Sequence, residues 1–371
     1  MEFTVRQPEL VKELDLAQGV SEKKTTIPIL SSILLEATDS ELRLSATDLE
    51  LGLRCGCPAR VKTTGASTVP GRRLLEIVRS LPDSEIRIKE LDNHFIQITC
   101  ERSSFKLAGM SKDNFPTLPE SPAVLATIPA GVLTPMIHRT GFAIASEESR
   151  YTMNGALLLL KPDGVLMVAT DGHRLAQVER TVQMEGLNSE LRVLIPRRAM
   201  IEITRLMTQA AAQSPILFSK DDSHLFFAAG HRLLISRVLT GQFPNYEAVL
   251  PRDNSRTLDV PKTQLAEAIR RVALLADERS RVIRLNLGNN QMEIFSSSSE
   301  FGEAHEELDV EYSSEAMQIG FNYQYLLDFL DAVDGSEKIR FDLKDDQSAG
   351  QLRPAEDDAY RYRYVVMPMR A

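Results

Sequence analysis

The sequence predicts an α+β chain built from three tandem copies of one unit, each with two helices and a set of antiparallel strands. Three observations carry this. The stretches VPGRRLLEIVRSL from Val69, IPRRAMIEITRLM from Ile195 and GFNYQYLLDFLDAV from Gly320 align with one another. An acidic residue recurs in them at Glu76, Glu202 and Asp328, a spacing of about 126 residues, which is the size of a domain and too long for a solenoid repeat. Further landmarks keep the same order: ATDLE from Ala46 is answered by ATDGH from Ala169, and NFPTL from Asn114 by QFPNY from Gln242.

Each unit opens with a short β-like piece, FTV, ATI or LDV, followed by a helix in QPELVKELDLAQ, PAGVLTPMIHRTGF or PKTQLAEAIRRVALL. The second helix of each unit is the aligned stretch. In the first copy Leu74, Leu75, Val78 and Leu81 recur at helical spacing on one face. Between the helices, ELRLSATDLELGLR, GVLMVATDGHRLAQV and NQMEIFSSSS alternate or run apolar over short lengths, which predicts antiparallel strands joined by turns. The proline-bearing connectors FPTLPESP and FPNYEAVLPRDN mark the joints, giving domains 1–122, 123–253 and 254–371.

The chain has 371 residues, 43% hydrophobic and 26% charged, with no low-complexity tract, which fits a globular protein with more than one core. MEFTVRQPEL lacks a basic segment leading into a long apolar stretch, so no secretory signal is read and a cytoplasmic protein is expected. The cysteines Cys55, Cys57 and Cys100 have no partner cluster at zinc spacing, so neither a metal nor a cofactor is expected and the thiols are read as buried and reduced. The terminal run YVVMPMRA is far shorter than the roughly 20 apolar residues a membrane span needs. No membrane partner is expected, and the run must pack on something.

Lys and Arg total 43 against 52 Asp and Glu, a net charge of −9, which argues against a polyanionic partner unless the charge is segregated. Helix by helix it is uneven. Arg72, Arg73 and Arg79 face one Glu76; Arg197, Arg198 and Arg205 face one Glu202; Lys262, Arg270 and Arg271 face Glu267; and His138 and Arg139 follow PAGVLTPMI. The helices of PELVKELDLAQ and FNYQYLLDFLDAV are acidic. Solvated helix faces would explain this; so would a basic surface turned to a polyanion, with the acidic residues elsewhere. Basic and aromatic residues do not interleave, so the second reading favours sequence-independent phosphate contact with a duplex over base stacking on a single strand.

No phosphate loop, dinucleotide fingerprint, nucleophile elbow or metalloprotease helix occurs in the sequence. In ATDGHRLA, His173 could act as a general base with Asp171 as its orienter. A DG turn whose side chains satisfy backbone groups would place the same residues together. With no nucleophile or metal partner nearby, the chain is read as non-enzymatic.

Taken with TIPILSSILLEA, RYTMNGALLLL, VATDGHRLA, GQFPNYEAVLP and the terminal YVVMPMR, the repeat resembles the bacterial DNA polymerase III β subunit family, the sliding clamps, over essentially the whole chain. The resemblance implies a DNA clamp fold closing as a head-to-tail homodimeric ring. Such a ring encircles double-stranded DNA without sequence preference and acts as a processivity factor for the replicative polymerase catalytic subunit. It also implies a clamp loader complex, and other polymerases and repair proteins, as partners that insert a short peptide into a pocket formed by the chain end and the GHRL segment. The pocket positions fall on Met153, Thr170, Gly172, His173, Arg174, Leu175, Pro244, Val249, Val365, Val366, Met367, Pro368, Met369 and Arg370. Lys24, Arg150 and Tyr151 stand where the family touches DNA, beside the helix residues Arg72, Arg73, Arg79, Arg197, Arg198 and Arg205. Phe105, Leu274 and Leu275 match the subunit interface. The chain departs from the family pattern at Glu147, which replaces a polar residue, at Ala248 where a basic residue is frequent, at Ala349 where serine is familiar, and at Ala371 where leucine is frequent. A three-repeat scaffold that binds peptides without encircling DNA is the alternative.

Overall fold

A computed structural model describes the chain except residues 22–25, 148–150, 210–213, 357–358 and 371, and gives only the backbone of Ala130, Tyr151 and Gln209. The described residues form α1 (Gln7–Val20), α2 (Gly71–Ser80), α3 (Ala130–Gly141), α4 (Arg197–Gln209), α5 (Lys262–Val272) and α6 (Tyr323–Ala332), in the six expected stretches. Each helix leaves the end of a strand. Before α2, α4 and α5 that strand ends in proline, at Pro70, Pro196 and Pro261, which cannot donate to the ladder and so helps stop it there. At α6 the Asn322 side chain caps instead, accepting from the Gln324 amide at 2.9 Å. Helix α2 stops at Ser80, so Leu81 is buried just beyond it. No described helix is long and apolar enough to cross a membrane.

The strands form four antiparallel sheets. An eight-stranded sheet runs in the order 126–128, 216–220, 224–229, 232–237, 51–58, 41–47, 32–38, 65–70. Its first four strands come from the second repeat and its last four from the first, joined where Leu233–Ser236 pairs with Arg54–Leu51. A second eight-stranded sheet runs 191–196, 155–161, 164–170, 174–181, 361–366, 350–354, 338–343, 256–261, joining the second repeat to the third. Here Arg174–Glu179 pairs with Val366–Arg361. A five-stranded sheet completes the first repeat and a four-stranded sheet the third.

Because these ladders cross the joints between repeats, three sequence repeats give two compact units. One is Met1–Thr134 with Glu185–Leu187 and Arg198–Val238; the other is Pro135–Met184 with Asn188–Arg197 and Leu239–Ala371.

In the second unit, the strands Gly155–Lys161 and Gly164–Thr170 are buried along almost their whole length, which is why GALLLLK and GVLMVAT read as unbroken apolar runs. One face carries Leu157, Leu159, Leu166 and Val168, covered by Leu239, Phe243, Tyr246 and Leu250 from the connector that follows the second repeat. The strand Val282–Gly288 alternates instead, with buried and half-buried residues in turn.

In the first unit, Glu13 of α1 and Arg232 of the strand Arg232–Arg237 are both buried, and Arg232 Nε stands 3.2 and 3.1 Å from the two carboxylate oxygens. The pair fastens the first repeat to a strand of the second. Cys55 lies beside it, with Sγ 3.7 Å from the Glu13 carbonyl. Cys55, Cys57 and Cys100 are all free and buried. Burial pushes the Cys55 thiol well up and that of Cys57 up to about 12, so neither is a ready nucleophile.

Removing one partner of the Glu13–Arg232 pair leaves an uncompensated buried charge. R232M is therefore expected to lower the unfolding free energy by about 3–5 kcal/mol in urea denaturation. The double variant E13L/R232M is expected to lose less than R232M alone; an equal or larger loss would mean that packing, rather than charge compensation, dominates there.

Candidate functional site

The segment Thr170–Arg174 is a tight turn closed by its own side chains. Asp171 Oδ1 accepts the amides of His173 and Arg174 at 2.9 and 3.0 Å. Thr170 Oγ1 donates to the Arg174 carbonyl at 2.7 Å and accepts from the Gly172 amide at 3.1 Å. Gly172 has φ +89°, a left-handed conformation that glycine adopts without strain. The ATD stretch of the first repeat folds identically: Thr47 Oγ1 donates to the Leu51 carbonyl at 2.7 Å, and Asp48 Oδ1 accepts the amides of Glu50 and Leu51 at 3.0 and 2.7 Å. The repeated motif is thus turn chemistry, and Asp171 spends its carboxylate on the turn and on Arg174.

Arg174 organises what surrounds the turn. Its Nε lies 3.0 Å from Asp171 Oδ2, Nη1 2.6 Å from Asp328 Oδ2 of α6, and Nη2 2.6 Å from the Phe142 carbonyl. The guanidinium sits 4.3 Å from the centre of the Tyr325 ring. Next to it, Tyr364 is fully buried, stacks on Phe329 with ring centres 4.9 Å apart, and donates its hydroxyl to the Tyr325 carbonyl at 2.9 Å.

The described residues that follow the last strand are held in place. Val365 and Val366 are buried, the Met367 amide donates to the His173 carbonyl at 2.9 Å, and the Met369 amide donates to the Gly320 carbonyl at 2.8 Å. Between this end, the turn and the connector lies a mostly apolar cavity of about 120 Å³. Met153, Thr170, Gly172, His173, Arg174, Leu175, Pro244, Val249, Val365 and Met367 line it, together with Tyr246. Val366, Pro368, Met369 and Arg370 do not. Strand alternation explains the first of these, since Val365 and Met367 share one face and Val366 takes the other; Met369 is held instead at Gly320.

Sequence reasoning missed Tyr246. Its place in FPNY, in a connector that must cover a sheet face, was the available signal. Of the departures, Ala248 is exposed, Ala349 packs against the cluster behind the cavity, and Ala371 lies outside the described residues. His173 and Arg174 also line a second, polar cavity of about 450 Å³, together with Glu147, Arg197, Tyr325 and Asp328.

The basic residues of α2 and α4 share one arrangement, apart from Arg197, which is exposed and lines the polar cavity. Arg72, Arg73, Arg79, Arg198 and Arg205 are all more than half exposed, and each has a carboxylate beside it. Arg72 and Arg73 both reach Glu76 at 2.9 Å, and Arg72 leads in holding its carboxyl below the usual range. Arg79 pairs with Asp15 of α1, Arg198 with Asp48, and Arg205 with Glu202 at 3.4 Å. Burial pushes the Glu202 carboxyl up, with Arg205 pulling against it. Helix α4 meets α1 at Gly19, where a Cβ would run into the Glu202 and Arg205 side chains.

Two cations counted toward a basic surface do not contribute to one. Arg139 is buried, with its guanidinium 4.6 and 5.8 Å from the centres of the Tyr360 and Tyr362 rings. Lys262 Nζ donates to the Val333 carbonyl just past the end of α6. Net charge along a helix does not say which face carries it. Lys24 and Arg150 lie outside the described residues, and Tyr151 opens a 3-10 turn, Tyr151–Met153.

Models of the DNA polymerase III beta subunit match the three repeats in order: the N-terminal domain over residues 1–119, the central domain over 127–245 and the C-terminal domain over 247–370. The chain belongs to that family. It is 36% identical over 376 residues to the beta sliding clamp of Pseudomonas aeruginosa and 34% identical to that of Escherichia coli K12, with both chains covered in full in each comparison. Among solved structures, a Pseudomonas aeruginosa sliding clamp bound to griselimycin superposes with a TM-score of 0.94 at 37% identity, again over both chains in full.

Phe105 is half-buried on Ser103–Ala108, an edge strand of the five-stranded sheet. Leu274 is 79% exposed, with Leu275 beside it in the 3-10 turn Ala273–Leu275 that follows α5. The strand Gly302–Asp309 is an edge of the four-stranded sheet.

Burial raises the phenol pKa of Tyr364 above its ordinary value, and the nearby Arg174 only partly offsets this. Above about pH 10 the unfolded chain ionises at this residue while the folded chain does not, so stability present below that pH is lost as pH rises. Y364F is expected to shallow the decline of unfolding free energy between about pH 9.5 and 11. An unchanged slope would remove Tyr364 from the alkaline response.

Proposed function

We propose that the protein is the processivity clamp of DNA replication. The observation that carries this reading is the match of all three repeats, in order and over the full chain, to the domains of one clamp family. Two copies, each contributing domains 1–122, 123–253 and 254–371, close head to tail around duplex DNA in the cytoplasm. The ring tethers the replicative polymerase catalytic subunit by topology and has no catalytic activity of its own. In this reading the edge strands Ser103–Ala108 and Gly302–Asp309 pair between copies, with Phe105, Leu274 and Leu275 at the contact, which covers those two edges.

The apolar cavity takes a short peptide from the polymerase, the clamp loader complex, and other polymerases and repair proteins. Met153 and Met367 suit that task, because a flexible thioether repacks around different side chains. Val366, Pro368, Met369 and Arg370 support the chain end that forms one wall. Ala248, Ala349 and Ala371 set the peptide preference apart from that of relatives carrying larger or polar residues there. Lys24, Arg150, Tyr151 and the exposed arginines of α2 and α4 contact the DNA backbone without reading sequence.

Labelled protein loaded on nicked circular DNA, with cognate loader and ATP, is expected to stay bound and to leave when the circle is linearised. Equal retention on both forms would mean ordinary phosphate binding and would end the ring reading. L274D/L275D is expected to give monomers by analytical ultracentrifugation, because it places unpaired charge in a subunit contact. Deleting residues 367–371 is expected to abolish binding of a clamp-binding peptide while leaving the dimer intact; loss of the dimer would place the chain end at the subunit contact instead.

A further inference from the structure

The strand Arg361–Val366 turns Tyr362 and Tyr364 toward α6, where both lie against Phe329. Arg361 and Arg363 therefore occupy the opposite face of the sheet. Leu352 pairs with Tyr364 and Arg340 with Arg353, so Arg363, Arg353 and Arg340 form a row across three neighbouring strands. Like charges opposed in this way disfavour the sheet. Two members of the row are compensated. Arg340 grips Asp259 with two bonds of 2.6 and 2.7 Å, and Arg353 Nε lies 2.9 Å from Asp342.

The others are not. Arg361 has only Glu179, at 3.9 Å, and among the described residues no carboxylate lies within 4.0 Å of Arg363 or of Arg252. Arg252, Arg353, Arg361 and Arg363 line one polar cavity of about 630 Å³. Its two described carboxylates are already engaged: Asp342 accepts from Arg353, Gln351 and Thr257, and Glu356 accepts the Glu337 amide at 3.1 Å. Burial and the neighbouring charges of Arg361 and Arg353 disfavour the charge on Arg363, and Glu179 offsets this only in part. An arginine cannot shed its proton near neutral pH, so an incoming anion would relieve the repulsion that Glu179 leaves. A net charge of −9 makes such a concentration of unpaired arginine harder to ascribe to surface composition.

We infer that this face of the sheet is a binding site for a phosphate-class oxyanion, held by Arg252, Arg361 and Arg363 with Arg353 behind them. Guanidinium forks match the geometry of phosphate oxygens, and the cavity volume falls within the roughly 300–1,000 Å³ typical of small-molecule sites. The cavity shares no lining residue with the apolar one at the chain end, so the two can be filled independently.

The test is isothermal titration calorimetry of the full-length protein at low salt, with inorganic pyrophosphate in one arm and ATP in the other. Wild type, R363Q, R252Q and the distant surface control R43Q are compared, with the melting temperature of each recorded with and without pyrophosphate. Saturable binding of one pyrophosphate or ATP per chain is expected, weakened at least tenfold by R363Q, several-fold by R252Q and not by R43Q. Pyrophosphate should raise the melting temperature of wild type more than that of R363Q. Comparable affinity for both ligands assigns the site to free phosphates; tighter binding of ATP by tenfold or more assigns it to a phosphate carried on an organic body. Absence of saturable binding to wild type, or equal weakening by R43Q and R363Q, overturns the site.

Discussion

The pairing of Arg174–Glu179 with Val366–Arg361 is the constraint on which the second unit depends. It makes the last strand of the chain an interior strand of an eight-stranded sheet, so its backbone groups are satisfied on both sides. It also delivers Tyr362 and Tyr364 beneath α6 and brings the residues that follow to the Thr170–Arg174 turn. The cavity at the chain end results from that register. A slip of one residue would turn Val365 and Met367 away from the cavity and Tyr364 away from Phe329.

The first unit solves the same problem with different chemistry. Leu233–Ser236 pairs with Arg54–Leu51, and the joint is pinned by the buried Glu13–Arg232 pair, where the second unit uses aromatic stacking and the shared Arg174. The repeated positions have diverged likewise. Glu76 is half-exposed and holds two arginines, Glu202 is buried beside Gly19, and Asp328 holds Arg174. The turns have changed less: Asp48 and Asp171 each use one carboxylate oxygen on two backbone amides and the other on an arginine, Arg198 and Arg174 respectively.

What could be read from the sequence was what leaves a local mark. Helical spacing, a proline at the end of the preceding strand and unbroken apolar runs mark α2, α4, α5 and the doubly covered strands near the cavity. The pairing of strands across repeats leaves no such mark, because the partners lie far apart in the chain, and so three repeats were legible while two compact units were not. The cavity was legible through family resemblance down to most of its lining. Tyr246 escaped because its burial depends on the connector folding over a sheet, and Arg139 was misread because a helix's charge count is blind to the tyrosines that pack around it.

The same distinction between counted and available charge bears on how a −9 chain could hold DNA loosely. Each exposed arginine described on α2 and on the α4 positions Arg198 and Arg205 already has a carboxylate partner, and an exposed pair of that kind contributes little, because solvent screens it. In the proposed reading, a DNA phosphate that displaced Glu76 or Asp15 would exchange one modest contact for another, so the net attraction per phosphate would be small and nearly independent of position along the duplex. Motion along the DNA would then meet only low barriers, and retention would have to come from the proposed closed ring. Among the described residues Arg363 has no carboxylate within 4.0 Å to give up, so the anion inferred to bind there would displace no ion pair of Arg363.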